Sequence, residues 1–329
     1  MKIIAVGVRD KEFPLYEKLK EKYNFDLTCY PVEQDICDES LYENIDYVIS
    51  GNTTTKLSDD YFSMLKRHDV KLFIAKMTGI AQIDLAAVKR NGMHLANVQN
   101  YSPNAISELA LALALSLNRN LFQIQLNNGN YNFRLDYPYF KEIRDCVIGI
   151  YGVGRIGATT AKLFSSLGSK VIGYNPTIRE ENKAFLTYVD MDRLISESDI
   201  LILHAPYVKN SNYHIINDEL LEKMKSTALL INVARGELVD LKAINQAIIN
   251  NKIAGYGCDV IENEQNIFAK KFDEITDMVV KQAIDLYPKV IITPHIGAHT
   301  ITARTNQIEI AFNQIIEFEK EGKCQYLQV

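Results

Sequence analysis

Several features are scarce in this 329-residue sequence, and each scarcity excludes a class of protein. The longest uninterrupted apolar run, residues 109–115, is far short of the roughly 20 residues that a membrane-spanning helix needs. The N-terminal apolar stretch, residues 3–8, stops at Arg9 and Asp10 and does not read as a secretory signal. Cysteine numbers only five (Cys29, Cys37, Cys146, Cys258, Cys324), scattered and without a C-x-x-C pair. That pattern predicts reduced thiols in a cytoplasmic protein, with neither a disulfide frame nor a metal site. There is no Lys/Arg cluster and the formal net charge is −5, so nucleic acid and anionic membrane are poor partners. Internal repeats and low-complexity tracts are absent as well.

What is there reads as an ordinary globular chain, 23% charged and 47% hydrophobic, of a length that suits two domains. Apolar runs at 3–8, 47–49 and 71–74 alternate with helical periodicity at 13–22, 58–66 and 84–91. A βαβα series of this kind predicts a parallel sheet with helices on both faces. Ser102-Pro103 then opens a long Ala/Leu-rich helix through residue 126. Ser suits an N-cap and Pro the first turn, and a helix apolar nearly all round must be buried. A second series places strands at 147–151, 170–174, 200–204, 228–233, 255–259 and 290–293, the six-strand plan of a dinucleotide-binding domain. A last helix spans 300–320.

Gly152-Val153-Gly154-Arg155-Ile156-Gly157 is a G-x-G-x-x-G loop set between an apolar strand and a helix, the context in which the motif has meaning. Gly152 permits the tight turn, Gly154 lets the backbone approach a pyrophosphate, and Gly157 allows close strand–helix packing. The second strand of such a domain ends in an acid that holds the adenosine ribose. Here that position is Asn175, which accepts a hydrogen bond but does not repel a 2′-phosphate. NAD is favoured because the nearest arginine is Arg179, and NADP stays open.

Three strand ends carry polar chemistry: Arg235, Asp259 with Glu264, and His295. Sites in open α/β sheets lie at the carboxyl ends of strands, so these side chains converge beside a nicotinamide. An arginine can fork onto a carboxylate beside a carbonyl. A histidine can exchange a hydroxyl proton, and a neighbouring carboxylate stabilises its charged form. Singly, each also reads as a surface arginine, a solvated loop acid or a structural histidine. Of the other histidines, His68 lies at a charged helix end, His94 in a turn, His204 at a strand end lining the cofactor cleft, and His214 reads as structural.

The chain resembles the D-2-hydroxyacid dehydrogenase family, most closely its D-lactate dehydrogenase branch. The resemblance rests on Tyr101-Ser102-Pro103-Asn104-Ala105, the glycine loop, His204-Ala205-Pro206, Asn232-Val233-Ala234-Arg235-Gly236, the run from Gly257 to Glu264, and Thr293-Pro294-His295. The long segment before His295, with Asp285-Leu286-Tyr287-Pro288, is also similar to that branch.

It implies an α/β protein of two doubly wound parallel-sheet domains. A discontinuous, flavodoxin-like substrate domain would span 1–100 plus 298–329, and a Rossmann NAD-binding domain 101–297. It implies reversible hydride transfer between NADH and a 2-keto acid giving the D-(R)-2-hydroxy acid. His295 would be the acid/base, Glu264 its partner and Arg235 the anchor of the substrate carboxylate and carbonyl. The backbone at Thr78 and Gly79 would cradle the carboxylate and Tyr101 would line the pocket. Cofactor contacts carried over, besides the glycine loop, are Arg155, Ile156, Asn175, His204, Ala205, Pro206, Asn212, Val233, Ala234 and Asp259. A homodimer through the nucleotide domain is implied too. A nucleotide-sensing protein on this fold would have lost Arg235, Glu264 or His295. Three departures stand out: Asn175 for the usual Asp, Lys76 for an Arg, and Ala298 (followed by His299) where an aromatic ring is usual. With small polar residues at Asn52 to Thr55, the pocket is expected to be wider or more polar than one for pyruvate. Lys76 leaves room for a second substrate carboxylate.

Overall fold

A computed structural model describes residues 1–51, 57–80 and 83–329. The chain divides into two compact units, Met1–Ser102 with His299–Val329, and Pro103–Ala298.

The first unit carries strands β1 (Lys2–Val8), β2 (Asp26–Pro31), β3 (Tyr47–Ser50), β4 (Leu72–Ala75) and β5 (His94–Asn97). They form one parallel sheet in the order β2-β1-β3-β4-β5. This is the flavodoxin-like order, whose switch point lies between β1 and β3. Alternation along β1 shows why both faces are covered. Ile3 and Ala5 pack with Phe312 and Ile315 of the helix Ile301–Glu321, while Ile4 and Val6 pack with Phe62 and Leu65 of the helix Asp59–Arg67. Strands β2 and β5 escape the periodicity reading. The first is an edge strand mixing Asp, Thr and Cys with one buried Leu27, and the second has four residues that begin on exposed His94.

The second unit carries β6 (Val147–Tyr151), β7 (Lys170–Tyr174), β8 (Thr187–Tyr188), β9 (Ile200–Leu203), β10 (Leu229–Asn232), β11 (Gly255–Cys258) and β12 (Val290–Ile292). Their order is β12-β11-β10-β9-β6-β7-β8. That is the dinucleotide-binding order with one more edge strand, seven strands where the apolar runs suggest six. The extra edge strand beyond that order is β12, and the strand that the apolar runs miss is the two-residue β8, too short to show periodicity.

A second correction concerns the long helix. It runs Pro103–Asn118, stops, and resumes as Leu121–Gly129. Asn120 takes a left-handed conformation (φ 48°), which Asn tolerates better than most residues, and this breaks the continuous helix expected through 126. The helix Pro103–Asn118 buries Ala110, Leu113 and Ala114 against Ile148, Ile150 and Phe164. No helix among the described residues is long and apolar enough to cross a membrane.

Candidate active site

All the polar strand ends of the second unit fall after the carboxyl ends of β6, β7, β9, β10, β11 and β12, where ligands of open α/β sheets bind. The glycine loop follows β6. Gly152 has φ +95°, and a Cβ there would sit 2.4 Å from the Ala205 nitrogen. A Cβ on Gly157 would sit 2.1 Å from the Gly152 carbonyl oxygen. Both positions therefore require glycine. A Cβ on Gly154, by contrast, meets nothing within 4 Å. Gly154 caps the helix Arg155–Ser166, whose first bond runs from the Ala158 amide to the Gly154 carbonyl. The first-turn amides of this helix, beginning at exposed Arg155 and half-buried Ile156, lie at the positive end of a helix dipole beside the open Gly154, a cradle that fits a pyrophosphate. These residues would hold the dinucleotide's phosphates.

Asn175 stands one residue beyond β7. Its Nδ2 donates to the Thr177 carbonyl (2.7 Å), which orients its Oδ1 as an acceptor. After β9, Asn212 is engaged within its own loop: Oδ1 accepts from the Val208 amide and Nδ2 donates to the Pro206 carbonyl. It shapes the segment that holds Ala205 and Pro206.

Three loops build the polar cluster. After β10, Val233 and Ala234 are buried and Arg235 is exposed. The turn is closed by Asn232, whose side chain accepts from the Ala234 amide and donates to the Arg235 carbonyl. The next residue fixes the loop's place, because a Cβ on Gly236 would lie 2.2 Å from the Glu262 nitrogen. Nothing local in the sequence marks Gly236 for a contact with a loop 25 residues away.

After β11, Asp259 is buried and Glu264 opens a short 3-10 turn. After β12, His295 adopts a left-handed backbone (φ 53°), rare for a non-glycine residue. Asp259 holds it there. Its Oδ1 accepts from Thr293 Oγ1 (2.6 Å) and the Ile296 amide (2.8 Å), and its Oδ2 accepts from the Gly297 amide (2.7 Å). Its carbonyl accepts from the His295 amide. Sequence alone suggests a cofactor contact at Asp259; the structure places its carboxylate beneath the turn that presents His295.

His295 Nδ1 lies 2.5 Å from Glu264 Oε1. That hydrogen bond raises the imidazole's pKa above its ordinary value. Burial opposes the rise, the charges of Glu264 and Asp259 add to it, and the nearby Arg235 cation opposes it. The imidazole is half-exposed, so one nitrogen faces the carboxylate while Nε2 remains open to a reactant. Asp259 itself is raised by burial, partly offset by its three hydrogen bonds. The structure thus brings Arg235, Asp259, Glu264 and His295 together.

The candidate residues of the first unit are described by themselves. Thr78 and Gly79 are exposed after β4, and their amides donate to no acceptor among the described residues. Thr78 Oγ1 donates to the Val98 carbonyl, and the Asn97 side chain donates to the Thr78 carbonyl, so the turn is braced from behind. Tyr101 is partly buried, its carbonyl held by Asn306.

Lys76 is not the free cation that the sequence suggests. It is buried, with Nζ 2.8 Å from Glu12 Oε2, and Arg304 adds a second cation at 3.7 Å from Glu12 Oε1. Burial pushes the Lys76 ammonium down and Glu12 only partly restores it. The expected polar wall at Asn52 to Thr55 lies outside the described residues.

Known proteins share this fold. The profile of the D-isomer specific 2-hydroxyacid dehydrogenase NAD binding domain matches residues 109–297. The chain is 35% identical to an aromatic 2-oxoacid reductase of Clostridium sporogenes, covering 100% of this chain and 99% of the relative. It superposes on the D-lactate dehydrogenase of Lactobacillus jensenii, solved with NAD+, with a TM-score of 0.93 at 30% identity over 100% of both chains. A D-2-hydroxyisocaproate dehydrogenase matches with a TM-score of 0.93 at 30% identity, covering 99% of each chain. The glycine cradle, the strand order and these matches agree: the chain belongs to the D-isomer specific 2-hydroxyacid dehydrogenases, as an NAD-binding, D-lactate dehydrogenase-like oxidoreductase acting on a CH–OH group.

Proposed function

We propose that this protein reduces 2-oxo acids with a bulky, uncharged side chain to D-(R)-2-hydroxy acids. His295 is the acid/base, Glu264 its partner and Arg235 the anchor of the substrate carboxylate and carbonyl. The observation that carries the assignment is the Glu264–His295 pair. The carboxylate at Nδ1 stabilises the imidazolium, which then donates its Nε2 proton to the carbonyl oxygen as that oxygen gains charge. Bound NADH supplies the hydride to the carbonyl carbon. Arg235 forks onto the carboxylate and polarises the carbonyl. Thr78 and Gly79 offer amides to a carboxylate oxygen, and Tyr101 lines the pocket. In the reverse direction neutral His295 accepts the hydroxyl proton.

Two features favour a bulky, uncharged side chain. Ala298 carries a single methyl where a ring is usual in lactate enzymes. Lys76 is already matched by buried Glu12, so it offers no free charge to a second carboxylate. The similarity to a reductase of aromatic 2-oxo acids supports the same class. Comparing kcat/KM for pyruvate, 2-oxoisocaproate, phenylpyruvate and 2-oxoglutarate decides the matter; pyruvate or 2-oxoglutarate as the best substrate overturns the class.

NADH is favoured over NADPH because Asn175 brings no cation to a 2′-phosphate; kcat/KM for the two coenzymes tests this. A homodimer through the second unit is supported by Tyr131, Leu135 and Tyr139, which stand 90%, 91% and 106% exposed. Sedimentation equilibrium checks it. Five free thiols suit a reducing cytoplasm.

A further inference from the structure

His204 follows β9 beside the glycine loop, its carbonyl carbon 2.8 Å from where a Gly152 Cβ would be. Its Nε2 lies 2.8 Å from Thr160 Oγ1, Thr160 donates to Ser107 Oγ (2.8 Å), and Ser107 donates to the Pro103 carbonyl (2.9 Å). Thr160 and Ser107 are fully buried on the helices Arg155–Ser166 and Pro103–Asn118.

The direction of this chain follows from proton counting. A carbonyl can only accept, so the single Ser107 hydroxyl proton points back to Pro103, the helix back-bond common for buried serine. Ser107 must then accept from Thr160, whose single proton is thereby used. Towards His204, Thr160 can only accept, so Nε2 carries the hydrogen. Burial holds the imidazole pKa down to about 3, so the ring is neutral and Nδ1 carries a bare lone pair. No hydrogen bond among the described residues reaches that Nδ1.

We propose that Ser107 and Thr160 are positioning residues that lock His204 in its Nε2–H tautomer, making Nδ1 a dedicated acceptor for a hydroxyl or amide N–H of the dinucleotide. The same lock forbids His204 from donating to a phosphate oxygen at Nδ1. It also separates the two strand-end histidines chemically: His295 is biased towards the charged form and His204 is held neutral.

Nitrogen-15 NMR of the full chain labelled at histidine tests the lock directly, and with six histidines the His204 signals follow from the spectrum lost in His204→Gln. The expected result is a neutral ring protonated at Nε2 from about pH 5 to pH 9, whereas a free histidine titrates near 6.5. Thr160→Val is expected to abolish the single-tautomer signature and weaken NAD+ binding about tenfold, read by calorimetry. Thr160→Ser keeps the hydroxyl and is expected to restore both. A ring protonated at Nδ1 in the wild type overturns the proposal. So does a Thr160→Val protein whose His204 spectrum and NAD+ affinity match the wild type. The wild-type spectrum requires no substrate, so its failure is distinct from a failure of the substrate class.

Discussion

A Cβ placed on Gly236 would lie 2.0 Å from the carbonyl carbon of Ile261, closer than any real contact. The loop that carries Arg235 and the loop that carries Glu264 are therefore in register only because residue 236 has no side chain. Gly236→Ala must push one backbone away from the other, since neither neighbour is a flexible side-chain tip. A displacement of about 1 Å in a reacting group can cost ~10²-fold in rate. Gly236→Ala is expected to lower kcat/KM by that order, with a smaller loss of NAD+ affinity through the neighbouring Val233 and Ala234. Steady-state kinetics with a separate nucleotide titration reads both.

The Glu264–His295 pair sets a pH limit whose sign is fixed. Reduction needs the imidazolium, and the Glu264 hydrogen bond raises the His295 pKa. Glu264→Gln removes that cause, so the alkaline limb of reduction should move to lower pH and the acid limb of oxidation should move with it. For stability, a histidine raised in the folded state contributes fully below its unfolded pKa, and that contribution fades as pH rises through the raised value. An unchanged alkaline limb in Glu264→Gln would uncouple the two residues.

How much of this was legible in the sequence depends on the range of the interaction. Motifs and strand-ending chemistry are local, so the glycine loop, Arg235, Glu264 and His295 stand out from their neighbours along the chain. The flavodoxin-like and dinucleotide-binding sheets follow from alternation of apolar runs, except where a strand is too short or too polar to alternate, as in β2, β5 and β8. What stayed hidden was long-range. Glu12 and Lys76 lie 64 positions apart, and Ser107 and Thr160 lie 53 apart, and no periodicity links them. Asp259 stands in a recognisable motif, but its three-donor grip on the His295 turn is a tertiary fact.

The Glu12–Lys76 pair is buried on both sides, with side chains 6% and 3% exposed. Removing one partner of such a pair leaves an uncompensated charge and costs ~3–5 kcal/mol, whereas replacing both with apolar groups can be neutral. Glu12→Leu and Lys76→Met are each expected to lower stability, the first more because it also strands Arg304, and the double variant to recover part of the loss. Urea unfolding of the three proteins gives the cycle; additive losses would show that the pair is not a unit.

Arg235 should not tolerate lysine. A guanidinium grips carboxylate and carbonyl together, and an ammonium offers one point charge. The contact strengthens as the carbonyl oxygen gains charge, so Arg235→Lys is expected to raise KM and lower kcat together. Because Arg235 opposes protonation of His295 and lysine retains a positive charge, the alkaline limb should shift little. A loss in KM alone would assign Arg235 to ground-state binding.

Ala298 offers the sharpest test of substrate class. If the missing ring at this position is what admits a bulky acyl side chain, restoring it should exclude that side chain and favour a methyl. Ala298→Tyr is therefore expected to reduce kcat/KM for phenylpyruvate while leaving pyruvate unchanged or improved. Each methylene equivalent of buried surface is worth ~0.8 kcal/mol, about fourfold. Losing two or three such contacts shifts the phenylpyruvate-to-pyruvate ratio by ~10–100-fold. NADH affinity is the control, since residue 298 lies beyond the cofactor-contact candidates. A ratio that does not move would show that position 298 does not face the substrate side chain.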